Sequence, residues 1–265
     1  MNEFLYQYTS LEVLALILQG KKIKFSQLST LDDPREKYVP TLYVNNDKLE
    51  VKDVKYGDFC FVSCWTGEQS ESIAMWDMYG DRKRGVRIGL PSNMLDPNFT
   101  LIKNNNAQAD SSTTNPSTEV PELISIDYNH VVLQSMTDSE IYLNANDLGK
   151  NKAPDWRFQK EKRFRLFAEY DEDIKQDKYA LSATSDILKG FKMMKPVSNT
   201  EIYWGLTERA ISQIQIIYGP NMTNGQIILL DSLIQKYNIN KDNVKPSQFI
   251  DKHKSNQLTI PLLGV

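Results

Sequence analysis

Residues Asp155–Phe167 read DWRFQKEKRFRLF. At the period of two that a strand imposes, Phe158, Lys160, Lys162, Phe164 and Leu166 fall on one side. Gln159, Glu161, Arg163, Arg165 and Phe167 fall on the other. One face therefore carries an amide, a carboxylate and two guanidiniums in succession inside an aromatic-rich run. Taken alone, the stretch predicts an edge strand whose charged face pairs with itself and meets water. The alternative is that Glu161 points into a cleft and meets a substrate.

Outward from this strand, the chain mixes short strand-like runs with helices. Phe4–Tyr8 alternates like a strand, and a helix follows it. Thr9 and Glu12 have capping-box spacing, Leu11, Leu14, Ala15 and Leu18 form the apolar stripe, and Gly20 ends the helix. KIKFS is a second short strand, and TLDDPREKYV is a loop with turn chemistry at Asp32, Asp33 and Pro34. Asp58–Thr66, DFCFVSCWT, is the most strand-like run in the chain. SESIAMWDMYGD reads as a helix stopped by Gly80, and RGVRIGLP as a strand closed by Pro91. LISIDYN resumes strand character, followed by a helical region to about Leu148. QIQIIYGPNM is a strand, TNGQIILLDSLIQKYNI an amphipathic helix and QLTIPLL a last short strand. Lys103–Glu122 is polar and aperiodic, which predicts an exposed, flexible insertion. No repeat or domain boundary stands out, so the expectation is a single α+β domain over residues 1–265.

The totals narrow the function. The chain has 265 residues, 40% hydrophobic and 25% charged, and a net charge of -3, which argues against a generally basic nucleic-acid binder. Cys60 and Cys64 are the two cysteines and His130 and His253 the two histidines. No zinc spacing results, and a disulfide along one strand would have to span roughly 13 Å. The cysteines read as reduced, buried small side chains. There is no leader-like N-terminus and no membrane span, so a cytoplasmic protein is expected. Walker and dinucleotide glycine motifs are missing, and neither histidine has a plausible nucleophile nearby. Any chemistry must come from carboxylate, hydroxyl, amide and aromatic groups, without a metal.

Six segments in order carry a resemblance: LYQYTSLEVLALILQGKKIKFS, LDDPRE, FVSCWTGEQSESIAMWDMYG, RGVRIGL, WRFQKEKRFRLF and IQIIYGPNM. Together they resemble the bacterial and phage family known as domain of unknown function 2971. That family is in turn similar to ADP-ribosyltransferases, which implies a split β-sandwich with flanking helices. It also implies NAD as substrate, a protein or nucleic-acid acceptor, and a role in bacterial or phage conflict. By that resemblance Glu161 is the catalytic carboxylate and Gln159 orients the acceptor. Gln7, Tyr8, Thr9, Ser63 and Thr66 hold ribose and nicotinamide. Trp65, Trp76 and Tyr79 stack. Arg163 and Arg165 suit either the phosphates of a dinucleotide or nucleic acid, or pairing with Asp33 or Glu36. The chemistry is coherent, because a fixed carboxylate facing the developing oxocarbenium ion stabilises the transition state more than the ground state. Gln7 stands where the superfamily carries His or Arg. That departure favours the alternative, a non-catalytic module that binds a nucleotide or a partner on the same fold.

Overall fold

The computed structural model describes residues 3–33, 36, 39–45, 48–54, 56–99, 120–129, 148–170, 179–182 and 199–250. Strand β1 (Phe4–Thr9) leads into helix α1 (Leu11–Gly20) and β2 (Lys22–Gln27). A hairpin, β3 (Val39–Asn45) and β4 (Lys48–Val54), precedes β5 (Cys60–Thr66), α2 (Ile73–Tyr79) and β6 (Val86–Pro91). Then come β7 (Glu122–Ser125), β8 (Glu161–Tyr170), β9 (Tyr179–Ser182) and β10 (Glu201–Gly205). Helix α3 (Glu208–Ser212), β11 (Gln215–Tyr218), α4 (Asn224–Lys236) and β12 (Val244–Pro246) complete the described chain. The class is mixed, with strands outnumbering helices.

These elements gather into two compact units that the linear sequence does not announce. One comprises Met1–Lys22, Thr66–Met94 and Leu206–Val265, the other Ile23–Trp65 and Leu95–Gly205. In the first unit β6 lies between β1 and β11, antiparallel to both, and β12 extends the order in parallel to β11. All six residues of β6 are buried, as its central place requires. Leu5, Val86, Ile88 and Leu90 build its core with Leu14, Ile17 and Leu18 from α1. Helix α1 is capped one residue later than its sequence suggests. Thr9 is the last residue of β1, and the Ser10 side chain accepts from Val13 N. Helix α4 does carry a capping box, between Thr223 and Gln226.

In the second unit β8 is interior. It pairs with β5, with β7 over Lys162–Arg165 and with β9 over Phe167–Tyr170. The strand is also shorter at its start than the pattern predicts. Pro154–Gln159 forms a 3-10 turn, and Lys160 then takes a left-handed conformation, φ 43, before β8 begins. Phe158 and Gln159 therefore lie outside the strand. Proline at the start of that turn sets its first φ, and the left-handed residue redirects the chain. From Glu161 onward the period-two reading holds.

The charged face of β8 is not solvated. Glu161, Arg163 and Arg165 are 6%, 0% and 2% exposed, and Phe167 beside them is fully buried. They share a face with Cys60 and Val62 of β5, because Phe167 packs in one cluster with those residues, Leu28, Phe59 and Leu148. Gly149 fits against this layer with φ 77, a conformation that side-chain-bearing residues adopt at a cost.

Of the polar insertion expected over Lys103–Glu122, residues 120–122 are described, and Glu122 opens β7; residues 100–119 lie outside the described residues, as do the helical region before Leu148, the final strand QLTIPLL and both histidines. No helix among the described residues is long and apolar enough to cross a membrane.

Candidate functional site

The second unit assembles a buried ionic centre around Glu161. Arg163, two residues along the same strand face, donates from Nε to Glu161 Oε1 at 2.6 Å and from NH2 to Oε2 at 3.2 Å. This fork-to-fork pairing suits a planar guanidinium and a carboxylate. Lys152, on the turn that follows Leu148, donates from Nζ to Glu161 Oε2 at 2.9 Å and to Gln159 Oε1 at 2.7 Å. Its ammonium also lies 4.9 Å from the Trp156 ring centre. The Tyr128 hydroxyl accepts from Glu161 N at 2.8 Å, which fixes the first residue of β8.

Arg163 is the hub. NH1 donates to Gly149 O at 3.1 Å and lies 2.6 Å from Glu36 Oε1. Glu36 is an ion-pair partner by distance, yet neither of its oxygens has a well-directed hydrogen bond. Asp33, three residues earlier, accepts from Ala153 N. Arg165 makes a parallel set of contacts, to Leu148 O and to Glu122. Two successive arginines of β8 thus tie down the turn around Gly149. The sequence offers Asp33 and Glu36 as possible arginine partners, and Glu36 takes Arg163.

The electrostatics follow from these contacts. Burial pushes the Glu161 carboxyl upward, but Arg163 and then Lys152 outweigh it and bring the group from 4.5 down to about 2. At neutral pH Glu161 is a carboxylate. Burial raises Glu36 above the usual carboxylate range despite Arg163. The Cys64 thiol is pushed well up by burial and by the Glu161 charge beside it, which makes it a poor nucleophile. Cys60 is lifted to about 12 by burial. Neither cysteine is in a disulfide; Cys60 is buried, and Cys64, expected to be buried as well, is partly exposed.

Ser63 and Trp65 belong to the other face of β5. Cys64 interacts with Glu161, whereas Ser63 accepts from Trp65 Nε1 at 3.0 Å. Alternation along the strand puts these pairs on opposite sides. Glu161 and Ser63 therefore do not edge one pocket. Trp65 is 2% exposed and offers no open ring face.

The remaining candidates lie in the first unit, and they too divide. Tyr8 pairs in register with Arg87 and Tyr6 with Thr66, so these four share a face. Gln7 and Thr9 alternate to the opposite side, paired with Ile88 and Val86. The Arg87 guanidinium lies 4.0 Å from the Tyr6 ring centre and 5.5 Å from that of Tyr8. Its two terminal nitrogens donate to Glu68 O and Gln69 O, while Nε has no hydrogen-bond partner among the described residues. Thr66 accepts from Glu68 N. Trp76 is wholly buried, edge-on to Tyr8 at 4.9 Å, and donates to Glu71. Glu71 also accepts from Ser247 Oγ and Gln248 N. Tyr79 is half-buried. Trp76 is a core side chain here.

Lys152, Tyr128, Arg87 and Glu71 are the structural participants that the sequence reading passed over. Arg87 had a signal, a single charge inside the apolar run GVRIGLP. Lys152 had none, because nothing in GKNKAPD distinguishes it from a surface lysine. No group of His, Cys, Asp and Glu suited to a metal ion occurs among the described residues. No family model, curated protein or solved structure matches this chain.

Proposed function

We propose that this chain is a non-catalytic module that binds a nucleotide, with Glu161 acting as the anionic centre of an internal ion network. The observation that carries the reading is the saturation of Glu161, whose two oxygens are taken up by Arg163 and Lys152. A carboxylate that answers a developing oxocarbenium ion must present negative potential to the substrate. One flanked by two cations in a low-dielectric interior presents little. The nucleotide as ligand class comes from the family resemblance, because the cation–aromatic pairs Arg87 on Tyr6 and Lys152 on Trp156 are internal, with both cationic side chains buried.

A second reading, NAD-dependent ADP-ribosyl transfer or NAD hydrolysis on an ADP-ribosyltransferase-like split sandwich, draws support from one observation. Lys152 bridges Gln159 and Glu161, the two residues the family resemblance makes catalytic, and Glu161 stays ionised beneath it. Single-turnover release of labelled nicotinamide, run beside calorimetric NAD binding, separates the two. The binding-module reading expects no release from the wild-type protein with any protein or nucleic-acid acceptor. Release that disappears in Glu161→Gln while NAD binding persists would establish the enzyme.

A further inference from the structure

Two buried arginines use the same fork differently. In Arg163, Nε and NH2 form one side of the guanidinium and grip the two oxygens of Glu161. In Arg87 that side is half used. NH2 donates to Glu68 O at 2.5 Å, whereas Nε is buried with no hydrogen-bond partner. NH1 donates to Gln69 O at 3.0 Å. Arg87 is 1% exposed. Among the described residues its partners are these two carbonyls and the rings of Tyr6 and Tyr8, with no carboxylate. The carboxylates of the covering loop, residues 67–72, are engaged elsewhere. Glu71 accepts from Trp76 Nε1, Ser247 Oγ and Gln248 N, and Glu68 Oε1 accepts from Ser70 N at 3.4 Å. A buried guanidinium that meets neutral acceptors alone lacks the counter-ion that burial of a charge calls for.

The cover over this fork is a single layer of loop, in which Gln69 and Ser70 are exposed. Glu68 N donates to Thr66 Oγ1 on one side of it and Ser72 N to the Tyr8 hydroxyl on the other. Beside the fork, the half-buried Tyr6 pairs in register with Gly89. A Cβ at Gly89 would stand 2.8 Å from a Tyr6 ring carbon, so glycine is what lets that ring lie over β6, 4.0 Å from the guanidinium. We propose that the Arg87 fork is an oxyanion site that takes a phosphate group of the nucleotide, one phosphate oxygen replacing Glu68 O on NH2 and another meeting Nε. The inference rests on the nucleotide-binding reading and gives it a phosphate anchor. A carbonyl oxygen serves one donor of the fork. A phosphate presents two anionic oxygens to it, satisfies Nε and supplies the missing counter-charge. NH1 keeps Gln69 O throughout, so the displacement is confined to the Glu68 carbonyl.

Calorimetry of the full chain with pyrophosphate, ADP, adenosine and malonate tests the site. Pyrophosphate and ADP are expected to bind, with adenosine and malonate weaker by about tenfold or more, the scale of one charge-assisted hydrogen bond. Arg87→Lys keeps the charge and loses the fork, so it should weaken pyrophosphate binding by about tenfold or more, with circular dichroism showing that the variant is folded. Hydrogen exchange on the wild-type protein reads the displacement without any substitution. Pyrophosphate should speed exchange across residues 68–70, whose amides bond Thr66 Oγ1 and Glu68 Oε1 in the covered state. Absence of pyrophosphate binding would overturn the proposal. So would unchanged exchange at that loop, equal affinity in folded Arg87→Lys, or malonate bound as tightly as pyrophosphate. ADP that binds wild type and Arg87→Lys equally ends this site and leaves the nucleotide-binding reading standing. Pyrophosphate binding that depends on Arg87, with ADP bound more weakly, sustains the oxyanion site and ends the nucleotide reading.

Discussion

Glu161→Gln is the substitution whose consequence the structure specifies most fully. Glu161 is 5% exposed at its side chain, Arg163 0% and Lys152 8%. The amide keeps the volume and one acceptor oxygen but removes the charge that both cations face. Arg163 is left with Glu36 and the Gly149 carbonyl, and Lys152 with Gln159. Breaking a buried pair by removing one partner costs about 3–5 kcal/mol. The lowering of the Glu161 carboxyl from 4.5 to about 2 gives an independent figure of about 3 kcal/mol at neutral pH. The two routes agree, and for a chain of this size the loss lowers the melting temperature by roughly 10 °C. Urea denaturation at neutral pH followed by tryptophan fluorescence measures it directly. Lys152→Met should cost less, because a methionine retains the packing of the lysine stem. The double mutant should lose less than the sum of the singles. The sign also bears on function, since replacing a carboxylate held strained for catalysis commonly leaves stability unchanged or raises it. A loss below about 1 kcal/mol for Glu161→Gln, with an additive double mutant, would refute the assignment of Glu161 as an internal ionic keystone.

Acid should reveal the same network. The folded Glu161 lies below its unfolded value, so its contribution is complete above about pH 5 and fades as pH falls from 4.5 toward about 2. Glu36, raised in the fold, has the opposite sign and favours the folded state at low pH, so Glu36→Gln should make the wild-type acid transition steeper in a pH-dependent urea series. Gly149→Ala should cost about 1–2 kcal/mol for its left-handed backbone, because the neighbours of an added Cβ, Cys60, Val62 and Arg165, stand at ordinary contact distance. Thermal unfolding of that variant checks the value, and no loss would show that the turn relaxes. Thr223→Ala should cost about 1 kcal/mol by removing the α4 capping box, read from the same melts.

Much of the secondary structure was legible because apolar periodicity and caps are local signals. Strands β1, β2, β5, β6 and β11 and helices α1, α2 and α4 could each be read from one window of sequence. The reading of Glu161–Phe167 shows where that method stops. Alternation assigned its two faces correctly, but the burial of both, Phe164 and Leu166 on one side and Glu161, Arg163 and Arg165 on the other, depends on β5, β7 and β9, all distant in sequence. A row of charges looks solvated until partners such as Glu36 and Lys152 are brought to it by the fold. The split of Ser63 from Thr66, and of Gln7 from Tyr8, was available in principle from strand parity alone, whereas that of Ser63 from Glu161 needed the pairing of β5 with β8. Matching motifs in order located the strands and did not say which residues on them share a side. The β3–β4 hairpin was missed because Pro40 and the charged residues between Lys48 and Asp53 obscure its alternation.

The division of the chain into interleaved segments has a consequence for biosynthesis. Everything that the second unit needs lies between residues 23 and 205, whereas the first unit recruits segments from both sides of that span. On a ribosome adding roughly 5–20 residues per second, β1, α1 and β6 emerge well before β11 can pair with β6. For several seconds the nascent chain holds a β6 edge whose two faces are both buried in the folded protein and which has no partner on its β11 side. The later unit in order of completion is thus the one that begins first. Any chaperone dependence of this protein should fall on that waiting edge, and the Glu161 network can close before it is covered.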